Sequence, residues 1–416
     1  MEKKNMNKLK TPALMHNMIS NHWESLRTAK AKGLPTVWSF GPIFFLTKAV
    51  GIPSHFYGGY ASLGARDGGS DPFLEAAQVA GYLPDTCSYY RMHLGLMDML
   101  DKGKPIREDM RLPAPDVVFC GRYCTEMSHI SDAIARRYHI PACTIDIPNL
   151  HEVSSADMIV PYIEQQIKDE IIPTIEKLTG KPYDYAALSQ ALVYLKRACQ
   201  LRNECLELSR NIPAPWSLFD IGVSAGAVMH AGGTAESVEY YEKLKAELEE
   251  RCAQKIGIVA EEKYRLLYDQ FIPWRWLGSF ANKLANAGAC VITGRYPTFL
   301  WSDPDTIEPE NPIHTIADQL PHWFNLTTPA AAESWMGDCI EKYSIDGLFL
   351  LSSRSCRLFN IGQEDILTSM ELKYGVPGVI VDMDQIDPVF YSEAQIDTRL
   401  GALLEMIDSR RKVRAV

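Results

Sequence analysis

Three of the ten cysteines in this chain stand at junctions between strand-like and helix-like sequence. Cys356 follows an apolar run, Leu348 to Leu351, and a polar turn, Ser352 to Ser355, and it precedes a helical pattern from about Ile361 to Tyr374. That places a thiol at the carboxyl end of a strand, where open α/β sheets hold their ligands. Cys124 follows the strand-like Val117-Val-Phe-Cys and precedes the helix-like Met127 to Tyr138, and Cys87 lies in Pro84-Asp-Thr-Cys at the start of another helix. A helix N-terminus lowers a thiol's pKa and favours the thiolate that binds iron. Three such thiols could converge on one metal centre; alternatively each packs as a small hydrophobe in its turn. No Cys-x-x-Cys pair occurs, so neither a zinc ribbon nor a ferredoxin-type cluster is indicated.

The other cysteines have a packing explanation. Cys199, Cys205, Cys252 and Cys339 fall on helical patterns, Cys143 and Cys290 lie within strands, and Cys120 completes an apolar strand.

The elements that must position the thiols are legible as alternating patterns. After an amphipathic N-terminal helix within residues 1–32 (Leu14, Met15, Met18, Ile19, Trp23, Leu26), strands are predicted at Thr36 to Phe40, Asp116 to Cys120 and Ala142 to Ile147. Helices are predicted at about 42–50, 72–80 and 127–138, and the glycine-rich stretch Gly58 to Gly69 reads as a flexible loop. From Met158 to Lys255 the periodicity is helical, at Pro161 to Leu178, Ala186 to Leu208 and Glu236 to Cys252. Alternation then returns, with strands at Tyr264 to Tyr268, Ala289 to Ile292, Gly347 to Leu351 and Gly378 to Val381, and helices near 277–287, 328–342 and 361–374. This order predicts an α/β protein with two Rossmann-like or flavodoxin-like parallel-sheet domains and a helical segment between them. The expected divisions are an N-terminal helix at 1–32, an α/β domain at 33–157 with Cys87 and Cys124, a helical segment at 158–255, and an α/β domain at 256–416 with Cys356.

Composition narrows the function. The net charge of −10 argues against a nucleic-acid surface, which needs a basic stripe. Residues 1–32 lack the long apolar core of a signal peptide, and no apolar stretch approaches the roughly 18 residues of a membrane span. The expected compartment is the cytoplasm, with the cysteines reduced. Gly222-Val-Ser-Ala-Gly226 matches the nucleophile elbow of α/β-hydrolases, but it lies in the helical third without a strand before it and reads as small residues at a helix crossing. There is no phosphate-binding Gly-x-x-x-x-Gly-Lys-Ser/Thr loop. Asn325-Leu-Thr matches a glycosylation sequon that is idle in a cytoplasmic protein. His55 and His151 are the histidines nearest strand ends, and a lone loop histidine is more often a surface residue.

Several longer segments carry a resemblance. Asp85-Thr-Cys-Ser-Tyr-Tyr-Arg, Leu112-Pro-Ala-Pro-Asp-Val-Val, Ser353-Arg-Ser-Cys-Arg, Asp382-Met-Asp-Gln-Ile-Asp-Pro and Tyr391-Ser-Glu-Ala-Gln-Ile-Asp-Thr-Arg together resemble the 2-hydroxyacyl-CoA dehydratase family, which includes the ATP-dependent benzoyl-CoA reductases. The likeness extends from about Val37 to Ile407. Gly233-Thr-Ala-Glu-Ser-Val-Glu-Tyr-Tyr and Glu261-Glu-Lys-Tyr-Arg-Leu look more like the reductase branch, whereas the segments around Cys356 and Asp384 look like an α-type dehydratase subunit.

The resemblance implies a 4Fe–4S cluster held by Cys87, Cys124 and Cys356, with Cys120 a near neighbour that the family pattern passes over. Three thiolates on a four-iron cubane leave one iron open, able to polarise a departing hydroxyl as other Lewis-acid metals do. The implied activity is a hydro-lyase acting on a (R)-2-hydroxyacyl-CoA through a ketyl radical. The implied partners are a paralogous β-type subunit and a separate ATPase activator, itself an iron–sulfur protein. Reduction of a thioester lies beyond ordinary ferredoxins near about −400 mV, hence the ATP. The alternatives are a benzoyl-CoA reductase-type subunit and a non-catalytic subunit that relays electrons. One departure stands out: where the family has a Pro-Glu-Asn-like segment with its carboxylate in the site, this chain has Pro53-Ser-His-Phe-Tyr-Gly-Gly-Tyr. His55 and Tyr57 are the candidates to replace the acid, and Ser39 matches a hydroxyl position beside the open iron.

Overall fold

Apolar runs short enough for strands, each followed by an amphipathic helix, build parallel sheets covered on both faces. In the computed structural model, which describes residues 6–41, 43–148, 156–298, 303–323 and 326–414, two such sheets form. His151 and Asn325 lie outside the described residues. The first sheet contains β1 (Val37–Phe40), β2 (Ser54–Phe56), β3 (Val117–Gly121) and β4 (Ala142–Ile145), in the order β2-β1-β3-β4. The second contains β5 (Tyr264–Asp269), β6 (Ala289–Thr293), β7 (Gly347–Ser353) and β8 (Gly378–Met383), in the order β6-β5-β7-β8. All pairings are parallel. Within each sheet the chain order is the same, so each has its switch point, where ligands bind in doubly wound folds, between its first and third strands.

The central strands are buried throughout, as their unbroken apolar runs require. β2 has no apolar run, and only its pairing with β1 (Val37 with Ser54, Ser39 with Phe56) makes it a strand. The N-terminal helix spans Pro12–Thr28 and buries Met15, Met18, His22, Trp23 and Leu26. Residues 156–254 are helical, including Tyr185–Leu208 and Ala235–Gln254, and they pack chiefly on the first sheet, while Leu218 and Phe219 join the core of the second.

The expected loop at Gly58 to Gly69 is instead the helix Tyr57–Ala65 and a 3-10 turn, Arg66–Gly68. Glycine lowers helix propensity, but here its lack of a side chain is what lets the helix pack. A Cβ on Gly64 would meet Met92 Cε at 2.2 Å. The next helix pair, Asp71–Val79 and Ser88–Asp101, is tighter still, because a Cβ on Gly95 would stand 1.9 Å from the Phe73 carbonyl oxygen. Backbone cannot yield as a methionine tip can. Gly95→Ala is therefore expected to lower the unfolding free energy by about 3 kcal/mol, measured by urea titration. Gly401→Ala, on a helical position with nothing within 4 Å, should instead raise it by about 0.5–1 kcal/mol.

Candidate metal centre

Each of the three junction cysteines caps a helix. Cys87 precedes Ser88–Asp101, Cys124 precedes Thr125–Tyr138, and Cys356 precedes the short helix Arg357–Asn360. Cys124 lies three residues past the end of β3, and Cys356 lies three residues past the end of β7. The two thiols thus occupy the same position in two sheets of the same strand order. All three are half-buried against the same core. They are also close enough to raise one another's pKa: Cys87 responds to Cys356 and Cys124, and Cys356 to Cys124.

Burial pushes the Cys356 thiol up to about 12 and the Cys87 thiol well above its ordinary value, with the neighbouring thiols adding to both. Burial raises Cys124 as well. In the metal-free chain the backbone N–H groups of the helix starts lower the pKa of these thiols, and burial opposes them. Desolvation and mutual repulsion of three would-be anions exceed the field of the helix ends. A bound cation reverses this balance, since coordination deprotonates a thiol outright.

The donor set fits a thiolate-bound cluster. Cys120 is no fourth member, because its thiol is fully buried and directed at the Gly121 and Met127 carbonyls, at 3.5 and 3.4 Å. Among the described residues no three His, Cys, Asp or Glu side chains stand close enough to share a single metal ion.

Two further side chains reach the trio. The Tyr57 hydroxyl is buried beside Cys124 and Cys87, and burial, then those thiols, hold its pKa well above the ordinary value. Glu126 sits in the first turn after Cys124, and its Oε2 accepts the Cys87 backbone N–H at 2.6 Å. Burial raises its pKa, with the Cys87 N–H and Arg357 opposing. The chain thus has a carboxylate at the thiols, though on a different element from the one the resemblance suggested. Glu126 was missed in the sequence because an acidic residue in a helix's first turn has an ordinary dipole explanation. Tyr90 Oη lies 3.9 Å from the Cys124 sulfur, and Tyr123 and Trp323 pack at 5.3 Å nearby.

A polar network locks the two sheets together behind the thiols. The Ser355 hydroxyl donates to Asp384 and accepts the Ser88 N–H at 3.2 Å. Gln385 donates to the Ser88 hydroxyl at 2.8 Å and accepts from Ser353 at 2.5 Å. Asp384 also accepts the Ile386 and Asp387 N–H groups at 2.9 and 2.8 Å. One helical turn beyond Ser88, Arg91 pairs with Asp387, with side chains 1% and 2% exposed. These bonds fix the residue after Cys87 to the residue before Cys356. At the end of β5, Gln270 adopts φ 115°, a strained value for a residue with a side chain, braced by a 2.7 Å bond to Asn360.

Two other candidates, Ser39 and His55, are fully buried. Ser39 is buried in β1, with its hydroxyl 3.5 Å from the Gly41 carbonyl. His55 points to the opposite face of β2 from Phe56, into an aromatic cluster with Trp23, Trp38 and Tyr60. Its Nε2 lies 2.7 Å from His93 Nε2, while His93 Nδ1 faces the Tyr89 carbonyl at 2.8 Å. The carbonyl requires a proton on His93 Nδ1, so neutral His93 accepts at Nε2 and His55 donates. His55 Nδ1 is then a bare lone pair with no partner among the described residues. The structure brings Tyr57, and not His55, to the thiols.

An α/β protein with paired flavodoxin-like sheets and three neighbouring helix-capping thiols is the class that this architecture defines. The family model described as 2-hydroxyglutaryl-CoA dehydratase, D-component, matches residues 46–407, and the chain belongs to that family. It is 28% identical over 353 residues to a benzoyl-CoA reductase subunit of Thauera aromatica, covering 80% of this chain and 79% of the relative. It is 27% identical over 406 residues to lactoyl-CoA dehydratase subunit alpha of Anaerotignum propionicum, covering 93% and 94%. To the (R)-2-hydroxyisocaproyl-CoA dehydratase alpha subunit of Clostridioides difficile it is 26% identical over 410 residues, covering 96% and 97%. Among the described residues no helix is long and apolar enough to cross a membrane.

Two expectations follow from the buried groups. Arg91→Met strands the Asp387 carboxylate and should cost about 3–5 kcal/mol of stability, whereas Arg91→Met with Asp387→Leu should cost less, as read from urea unfolding. Burial lowers His93 to about 4 and His230 to about 3, and takes His22 and His55 well below their ordinary value. Between about pH 6.5 and 4 the unfolded chain therefore binds protons that the fold excludes. Stability should fall as pH drops through that window, with a slope of more than one proton in urea titrations at successive pH values.

Proposed function

We propose that this chain is the iron–sulfur catalytic subunit of a 2-hydroxyacyl-CoA dehydratase. In the proposed reaction one ATP-energised electron makes a ketyl radical of the thioester, hydroxide leaves C2, a proton leaves C3, and the electron is returned. The net loss is one water, with no net redox change. The observation that carries the reading is that Cys87, Cys124 and Cys356 stand at three helix starts, near enough to raise one another's pKa. These thiols would hold a 4Fe–4S cluster, which when bound supplies a one-electron path and an iron with an open coordination position.

The chain's own groups divide the remaining work. The buried Tyr57 hydroxyl, protonated throughout the physiological range, is a hydrogen-bond donor beside Cys87 and Cys124. Glu126 orients the Cys87 turn through its backbone N–H. Tyr90 and Tyr123 limit water around Cys124, which favours radical chemistry over side reactions. The Ser88–Ser355–Asp384 bonds hold the two halves of the ligand set in register. The alpha-subunit names of several relatives support a β-type partner, and the electron would come from a separate ATPase activator that is itself an iron–sulfur protein.

The likeness to the benzoyl-CoA reductase of Thauera aromatica favours one second reading, an aromatic acyl-CoA reductase subunit. Anaerobic purification followed by iron and sulfide analysis tests the cluster: about four of each per chain are expected, lost in Cys356→Ala, and a colourless, iron-free wild-type chain would sink the proposal. With activator and ATP, a 2-hydroxyacyl-CoA should give enoyl-CoA without stoichiometric consumption of reductant. Reduction of benzoyl-CoA with stoichiometric reductant use would favour the second reading.

A further inference from the structure

The helix Tyr57–Ala65 starts at the thiols and runs outward to Arg66, roughly 13 Å away at 1.5 Å per residue. Along it lies a cavity of about 690 Å³, between this helix, the N-terminal helix, and the helices Leu218–Ser224 and Gly226–Ala231. Its inner end is walled by Phe56, Trp274 and Tyr296. Tyr296 acts on Tyr57 and Tyr89, so the cavity's aromatic wall is continuous with the tyrosine beside the thiols.

The hydrolase-like motif finds its explanation here. Gly222, Val223, Ala225 and Gly226 line the cavity, whereas Ser224 turns away and bonds the Tyr240 hydroxyl at 2.9 Å. Small residues on these helices leave room for a ligand; no nucleophile is presented. The wall's body is apolar, with Met15, Ile19, Leu63 and Met229. The charged residues on the wall, Arg27, Arg66, Asp109 and Arg275, are all at least partly exposed. Arg27 and Arg275 pair with Glu24 and Asp71. Arg66, at the outer end of the helix, makes no ion pair among the described residues.

We propose that this cavity takes a coenzyme A thioester with an uncharged, apolar acyl group turned inward and its phosphates at Arg66. The proposal rests on the acyl-CoA reading above and narrows it. A dicarboxylic acyl group would bring its second carboxylate among apolar side chains. The buried cation behind that wall, Lys48, is already bonded to the Met229 and His230 carbonyls and its pKa is lowered by burial to about 7, so burying that carboxylate is strongly unfavourable. Each methylene of an apolar acyl group would instead strengthen binding about fourfold. His230, the histidine on the inner wall, is held neutral by burial and supplies no counter-charge.

The test is equilibrium binding, by calorimetry, to the chain as purified with any subunit that accompanies it. The probes are 4-methylpentanoyl-CoA, 3-phenylpropanoyl-CoA, glutaryl-CoA and free CoA, of which the thioesters lack the 2-hydroxyl and cannot be dehydrated. The apolar thioesters should bind at least tenfold more tightly than glutaryl-CoA or free CoA. Gly278→Trp, placed where a side chain meets nothing within 4 Å, should weaken the apolar thioesters about tenfold while leaving the melting temperature unchanged. Arg66→Ala should weaken all CoA compounds, free CoA included, and flatten their salt dependence. Equal or tighter binding of glutaryl-CoA, no binding of any probe, or indifference to both substitutions would overturn the assignment. Apolar thioester binding by a chain that purifies without iron would sustain the cavity and sink the cluster. Four irons with a preference for glutaryl-CoA would do the reverse.

Discussion

Everything about the thiol site depends on the buried polar clamp between the two sheets. Cys87 belongs to the first sheet's half of the molecule and Cys356 to the second, and neither half alone holds all three thiols. The residues that decide their separation are their immediate neighbours, Ser88 and Ser355, joined to Asp384 and Gln385. Such bonds are strong only when every member is satisfied, and Asp384 accepts from a hydroxyl and two backbone N–H groups. The Arg91–Asp387 pair adds a charge that cannot be left unpartnered in the interior. Sliding one sheet against the other would break the bonds that cross between them, Ser88 to Ser355, Gln385 to Ser88 and Arg91 to Asp387, at once.

The clamp also gives a physical meaning to the segment Asp382–Pro388. Asp384, Gln385 and Asp387 do not touch the thiols; they hold the loop of Cys356 against the helix of Cys87. The same strand order in both sheets supplies Cys124 and Cys356 from equivalent positions, and Cys87 completes the set from a helix start before β3. Helix starts bring exposed backbone N–H groups to the cleft, but their field does not outweigh burial. Burial there raises the pKa of all three free thiols.

From the cleft outward, the helix Tyr57–Ala65 links the thiol site to the cavity. Its glycines serve packing at both ends: Gly64 admits Met92, and Gly59 lies where a Cβ would meet His230 at 2.8 Å. The rings of Tyr57, Tyr89 and Tyr296 connect the cavity wall to the surroundings of the thiols. The buried histidines on the far side of β2 stay neutral near neutrality beside Lys48, and they make the fold acid-sensitive.

The sequence by itself determined the local elements and the junction cysteines. Strand-like runs at Val117 and Leu348, followed by helical periodicity, place Cys124 and Cys356 at strand ends because side-chain period and turn residues are local properties. Seven of the eight strands were legible that way; β2 was not, since Ser54-His55-Phe56 is a strand only through its partner. The helix at Gly58 was hidden for a similar reason, its glycines being explained by methionines some thirty to fifty residues away. Tertiary structure alone decided that Tyr57 and Glu126 reach the thiols, that His55 turns to His93, and that Ser88 meets Ser355 across 267 residues. Alternation along a strand says that two neighbours face opposite ways, but only packing says which face holds the site.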